Sequence, residues 1–319
     1  MRFGLCQFWE WGCNTVSGHF TIPPMEKVDC LFIHVPKLKN YYRPIDEFIW
    51  INFLPMGLLG LADLLQRNNI STQIVHVGVE WIEDPHFSLV DYIKEKSPRI
   101  VALDLHWHHQ SFDVMEVARK VKTAFPSTYL LLGGFTASFF HEEIMRNFDE
   151  VDGVIRGEAE EPILELAHAI LQGKEDLFSI PNLTWRRKGR IMINPLSYVA
   201  SEEDLNRISF TNFPLLKNYS TYIRYIGQFF YVKGVSKEKN FWMYSLKSPI
   251  YHLTLGRGCP VQCTGAVATS PLRRRLPAEK RSPSEGSRRF SSRSEKPSLS
   301  DMRPSMSVLI LIPGNRNTF

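Results

Sequence analysis

Between residues 28 and 172 the chain repeats one pattern five times: a short apolar run, then a stretch with helical spacing. That repetition constrains the fold more than any single motif does. Apolar runs that do not alternate with polar residues belong to strands buried on both faces, and such strands occur in parallel sheets with crossover helices. Cys30-Leu31-Phe32-Ile33-His34-Val35 predicts the first strand, Thr72–Val77 the second and Ile100–Leu105 the third. Tyr129–Leu132 predicts the fourth and Gly153–Arg156 the fifth. Helices are predicted at Pro55–Leu65, which proline opens, and at Leu89–Lys96, Phe112–Phe125, His141–Phe148 and Glu161–Leu171. The expected architecture is an α/β domain around a five-stranded parallel sheet of Rossmann-like, flavodoxin-like type. Such sheets bind ligands beyond the carboxyl ends of their strands, where Asp104, His106, Gly133 and Gly157 fall.

The rest of the chain divides by composition. Leu183–Trp185 and Arg190–Ile193 flank a basic turn and predict a hairpin on the sheet edge, completing a domain over 28–195. Residues 196–248 are rich in aromatics without a clear period, and read as a linker wrapping another domain. Residues 1–27 lack any period and read as a spurious or disordered extension, with Met25 a natural start. Residues 249–264 hold a strand, Tyr251–Leu255, that delivers a cysteine loop.

The net charge of +5 is unevenly placed. Residues 264–319 hold eleven basic and four acidic residues, so the first 263 balance at −2. A basic tail can bind nucleic acid or an anionic membrane. This one is dominated by serine, arginine and proline, lacks an amphipathic period and has few aromatics, so 265–319 reads as solvated disorder without a nucleic-acid partner. No apolar run approaches the roughly 18 residues of a membrane span. The five cysteines form no disulfide framework, and the expected setting is a reducing cytoplasm. Cys6, Cys13 and His19 lack the short spacings and fourth ligand of a metal knuckle.

Several residues carry candidate chemistry. Glycine in the pair Gly133-Gly134 lets a ligand approach the backbone, although most such pairs are only tight turns. His106-Trp107-His108-His109 contains a His-x-His pair that on an extended segment would place two rings on one side; the ordinary reading is a polar rim, and His106 is the stronger functional candidate. Glu158, Glu160 and Glu161 could do acid–base work, but acids at a helix start more often complement its dipole.

Gly256-Arg257-Gly258-Cys259-Pro260-Val261-Gln262-Cys263-Thr264 begins the C-x-x-x-C-x-x-C spacing that holds an iron–sulfur cluster, and Ala266 stands where the third cysteine belongs. Taken with Pro55-x-Gly57-Leu58, Gly133-Gly134 and Gly157-Glu158-x-Glu160-x-Pro162 in that order, the chain resembles radical S-adenosylmethionine enzymes that carry a cobalamin-binding domain. The resemblance covers residues 28–172 and the cysteine loop. It implies that cobalamin is the cofactor, and that Gly133 and Gly134 line its nucleotide tail. It also places Asp104, Leu105, His106 and Gly157 near the same cleft. The segment after the first strand, His34–Asn40, lacks the family's Asp-x-His-x-x-Gly loop, so no histidine there is expected to coordinate cobalt. The cysteine loop opens a (β/α) barrel in this family, where three thiolates hold a 4Fe–4S cluster and its fourth iron holds S-adenosylmethionine. Here Cys259 and Cys263 are the two metal ligands present.

A one-base deletion explains the break. Relatives commonly run Thr-Trp-Cys-Gly-Gly here; removing one T from the Trp codon allows Gly-Ala-Val-Ala, and the chain reads Thr264-Gly265-Ala266-Val267-Ala268. The expectation is a barrel truncated just after it begins, with corrinoid as partner, an unknown small-molecule substrate and incomplete catalysis. The alternatives are a non-enzymatic corrinoid module and a flavodoxin-like domain for another nucleotide.

Overall fold

The computed structural model describes residues 27–36, 54–226, 250–254 and 307–311. The proposed start at Met25, the Cys6–Cys13–His19 group and the Cys259–Cys263 loop lie outside the described residues. Five parallel strands build the sheet: β1 (Cys30–His34), β2 (Thr72–His76), β3 (Ile100–Asp104), β4 (Tyr129–Gly133) and β5 (Gly153–Ile155). Their order is β2-β1-β3-β4-β5, so the chain crosses over after β2. The predicted hairpin, β6 (Leu183–Arg187) and β7 (Arg190–Ile193), continues the sheet antiparallel from β5 and brings it to seven strands. The five-stranded parallel expectation therefore holds, with a two-stranded addition on one edge.

Successive side chains of each strand point to opposite faces, and the two faces bury different helices. On one lie α1 (Met56–Arg67) and α7 (Glu160–Leu171), whose Leu59, Ala62, Leu65 and Leu166 pack with Phe32, Ile74, Ala102 and Leu131. On the other lie α3 (Leu89–Lys96), α4 (Ser111–Ala124) and α6 (His141–Asn147), whose Ile93, Val114, Val121 and Met145 pack with Ile33, Val75, Leu103 and Leu132. Between them, α2 (Val77–Glu83) follows β2 without a loop, and α5 (Phe135–Phe139) follows the glycine pair at once. Neither short helix shows in the sequence, because each is under two and a half turns and too brief to display a period. No helix among the described residues is long and apolar enough to cross a membrane.

Residues 196–226, read from the sequence as the start of a linker, instead pack on this domain. They contain α8 (Glu202–Arg207) and α9 (Tyr219–Ile226). Leu216 forms a parallel bridge with Ile74 on the free edge of β2, and the Lys217 N–H donates to the Ile74 carbonyl at 2.9 Å. Leu216 and Tyr222 are each 1% exposed and belong to the α1–α7 core. The segment is further tied by Lys217 and Asn218 to the Glu80 carboxylate and by Asn212 to Asp63. Burying a large apolar side chain stabilises by about 1.5–3 kcal/mol. A partly exposed ion pair contributes about 0–1 kcal/mol, so Leu216 and Tyr222 dominate this docking. A second difference lies further on. Within 265–319, expected to be disordered, Ser307–Leu311 forms strand β9 antiparallel to β8 (Ile250–Thr254). The run Ser307-Val308-Leu309-Ile310-Leu311 is apolar with two β-branched residues, a composition that favours strands.

Gly60 of α1 is the notch that admits the docked segment. A Cβ there would lie 2.6 Å from Ile208 Cγ2 and 2.9 Å from Phe210 Cε1, whereas a Cβ at Gly57 meets nothing within 4 Å. Ile208 is stiff at χ1 and cannot swing aside cheaply. Gly60→Ala is expected to destabilise by about 1–3 kcal/mol through overpacking, while Gly57→Ala gains about 0.4–1 kcal/mol. Urea denaturation of the two variants checks this; a Gly60→Ala protein as stable as the parent would show that 208–210 does not pack here.

Candidate functional site

Strand register sets a row of four residues across the carboxyl edge of the sheet. His34 pairs with His76 between β1 and β2, and Asp104 pairs with Gly133 between β3 and β4. Ile33 pairs with Leu103, which brings His34 level with Asp104. The residues two positions earlier (Ile74, Phe32, Ala102, Leu131) all face α1 and α7, so by alternation the row faces the same side.

The middle of the row is a buried polar pair. His34 Nδ1 lies 2.9 and 3.0 Å from the two Asp104 carboxylate oxygens, with His34 0% and Asp104 6% exposed. Burial pushes the His34 pKa down to about 3. It pushes Asp104 well above the usual carboxylate range, against an opposing pull from His106. Both shifts have one cause: charge is costly without water. The second ring nitrogen of His34, Nε2, is buried without a hydrogen-bond partner. The His76 ring lies beside it, 4.6 Å centroid to centroid. His76 Nδ1 accepts the Val79 N–H at 3.3 Å and so caps α2. Its other neighbour is Tyr222, 5.8 Å away, whose hydroxyl accepts the Leu54 N–H at 3.1 Å.

The loops beyond the row are held by backbone bonds. The Leu105 N–H donates to the Gly133 carbonyl at 2.8 Å, and the Leu105 carbonyl accepts the Ala137 N–H at 3.1 Å. Gly134 has φ 102°, and a Cβ there would sit 2.9 Å from the Leu105 carbonyl oxygen and 3.0 Å from the His106 backbone. Loop packing alone thus demands glycine at 134. At Gly133 the situation is reversed: nothing lies within 4 Å of a Cβ, so the space beside the row is open. Gly157 has φ 72°, and its N–H donates to Ser138 Oγ at 2.9 Å.

His106 is partly buried and packs on Phe135 at 4.6 Å and Trp107 at 4.8 Å. Burial lowers its pKa, with Asp104 pulling the other way. Trp107 is extended but His108–Gln110 form a 3₁₀ turn, so the His-x-His pair runs from an extended residue into a turn. No group of three metal-ligating side chains occurs among the described residues. Gln110 is the structural member of this loop: its amide donates to the Val35 carbonyl at 2.7 Å and its carbonyl accepts the Trp107 N–H at 3.2 Å. At the fifth turn Glu158 does not cap α7. Its carboxylate accepts the Ala200 N–H at 2.5 Å, tying the turn to the following segment.

The structure brings Asp104, Leu105, His106, Gly133 and Gly134 together at adjacent strand ends, and Gly157 one strand further on. Cys259 and Cys263 lie outside the described residues. The sequence reading missed His34 and His76 as site residues. A histidine closing each of two apolar strands was the available signal. A cavity of about 790 Å³ lies on the opposite face between α4 and α6, lined by Leu105, Phe112, Met115, Phe140, Ile144 and Phe148. It has the size of a small-molecule site, but shares only Leu105 with the residues above and does not touch the row.

Residues 52–167 match the family described as the B12 binding domain. The match includes His76, Asp104 and Gly133 of the row and the turn at Gly157, while His34 lies before it. The chain is also 30% identical over 142 residues to a protein of Pyrococcus horikoshii named uncharacterized methyltransferase PH0819. It is 25% identical over 116 residues to the hopanoid C-3 methylase of Methylococcus capsulatus. Those matches cover 44% and 35% of this chain but only 30% and 21% of the relatives. Among solved structures, the cobalamin-dependent S-adenosylmethionine radical enzyme OxsB with aqua-cobalamin bound aligns with a TM-score of 0.42. The alignment has 14% identity over 55% of this chain and 23% of that one. The expected likeness to a cobalamin-binding domain is found in the family match, and the expected Rossmann-like fold in the parallel sheet itself.

The buried pair has a checkable titration. Unfolded, His34 takes a proton as pH falls below about 6.5; folded, it stays neutral to about 3, so alone it makes stability fall with acid. Asp104, raised when folded, takes up its proton before the unfolded carboxylate does, and that uptake opposes the loss. Asp104→Asn removes the offset. The variant is expected to lose stability between pH 6.5 and 4.5 more steeply than the parent, by up to about 1.4 kcal/mol per pH unit. Denaturant melts across that range read the slope difference, and equal slopes would refute the assignment.

Proposed function

We propose that the chain binds a corrinoid, cobalamin in particular, over the carboxyl edge of its B12-binding domain. The observation that carries this reading is the open space at Gly133 beside the polar row, inside the stretch that matches the B12 binding domain. Gly133 admits the ligand to the backbone of β4, Asp104 and His34 form the floor, and His106 with Phe135 forms a partly exposed rim. Leu105, Gly134 and Gly157 shape the loops that hold this edge. A bound corrinoid supplies a cobalt centre able to carry a methyl group or accept one electron. The residues of this chain bind it, orient it and exclude water from the row. The segment His34–Asn40 lacks the Asp-x-His-x-x-Gly pattern, which supports binding without cobalt coordination by a histidine there.

Gly133 has an ordinary backbone conformation, so a side chain there need not strain the fold. Gly133→Leu is expected to keep the thermal midpoint within about 3 °C while weakening hydroxocobalamin binding at least tenfold, because it fills the open space. Absorption titration of the apo protein reads the affinity. Undiminished binding by a folded variant would overturn this placement.

We assign Cys259 and Cys263 as two of the three thiolates of a radical S-adenosylmethionine cluster, on the strength of the Cys-x-x-x-Cys spacing. The names of the relatives, a methyltransferase and a methylase, support methyl transfer as the reaction to which a bound corrinoid would contribute. With Ala266 at the third position, anaerobic reconstitution of this chain is expected to give no S-adenosylmethionine cleavage. A four-iron cluster that releases 5′-deoxyadenosine would overturn the expectation of incomplete catalysis.

A further inference from the structure

His34 Nε2 is buried, unpartnered and placed at the ligand edge of the sheet. Leaving such a nitrogen unsatisfied costs about 1–3 kcal/mol, and the position is unusual for a residue that only fills a core. Apolar side chains occupy the rest of β1 from Cys30 to Ile33, all buried. A fifth apolar residue would close the strand with no orphan, and would leave Asp104 with nothing to hold.

We propose that His34 Nε2 is the hydrogen-bonding partner of a primary amide on the rim of the bound corrinoid, and that Asp104 is the positioning residue behind it. The proposal rests on the corrinoid reading above and names which part of the ligand meets which atom. When Asp104 is ionised it accepts the Nδ1 proton, and Nε2 presents a lone pair. When Asp104 holds a proton it donates to Nδ1, and Nε2 carries the hydrogen instead. The ligand group at this point must therefore answer both an acceptor and a donor. A primary amide has both an N–H and a C=O and satisfies either state. A carboxylate satisfies only the second, and in the first it would face the Asp104 charge across the ring. Corrinoids carry primary amides around the macrocycle, and the same macrocycle can be prepared with carboxylates in their place.

The titratable groups facing this ring are His76 from β2, Asp104 from β3, His106 beyond β3, and, across His76, Tyr222 from α9. His76 Nδ1 is committed to the Val79 N–H, and the Tyr222 hydroxyl receives the Leu54 N–H. Asp104 is thus the group in direct hydrogen-bond contact that switches the His34 tautomer.

The test compares two probes at pH 8: cobinamide, with an amide rim, and cobyrinic acid, with a carboxylate rim. Affinities are read by absorption titration of the parent protein, of His34→Leu, and of His34→Leu combined with Asp104→Leu. The double substitution removes both partners and leaves no buried carboxylate unpaired, which protects against a single variant that fails to fold. Circular dichroism and the melting midpoint confirm folding. The parent is expected to prefer cobinamide, and folded variants are expected to lose at least tenfold of that preference. Comparing preferences rather than affinities cancels charge effects elsewhere on the rim. A folded variant that keeps the parent's preference overturns the role of His34 while leaving corrinoid binding intact. A parent that binds neither probe overturns the corrinoid reading and this assignment together.

Discussion

A buried imidazole and a buried carboxylate, level with each other on adjacent parallel strands, set the terms for the carboxyl edge of this sheet. Neither is tolerable alone in that setting: an isolated buried charge costs several kcal/mol, and an unpaired buried polar atom costs about 1–3 kcal/mol. Together they tie the last residue of β1 to the last residue of β3. The order β2-β1-β3-β4 puts this tie at the point where the chain reverses its direction of travel across the sheet. Doubly wound sheets bind their ligands at such a switch.

The parallel sheet was legible because strands covered on both faces must be apolar throughout, and Cys30–Ile33, Ile100–Leu103 and Leu130–Leu132 are. Glycines at strand ends located the edge. What the sequence hid was of two kinds. Short helices such as Val77–Glu83 are placed by their neighbours rather than by a period of their own. The docking of 196–226 depends on a few long-range contacts, Leu216 on Ile74 and Phe210 near Gly60, that no local window contains. The histidine row escaped for the same reason. His34 and His76 are 42 positions apart in sequence and become neighbours only through register.

The glycine pair shows why residue type alone could not assign roles. Gly134 is required by the backbone of residues 105 and 106, whatever binds above it. Gly133 has room for a side chain and carries none. Adjacent residues of the same type thus answer to different constraints, one set by the packing of its own loop and one facing open space.

Both margins of the sheet are occupied. Leu216 and Lys217 lie along β2, while at the opposite margin β7 ends the sheet with Arg187, Lys188 and Arg190 gathered at its turn. Open strand edges invite pairing with other chains, and cationic residues discourage it. A strand adding at β2 would first have to displace the docked Leu216–Lys217 segment, and one adding at β7 would meet the cationic turn.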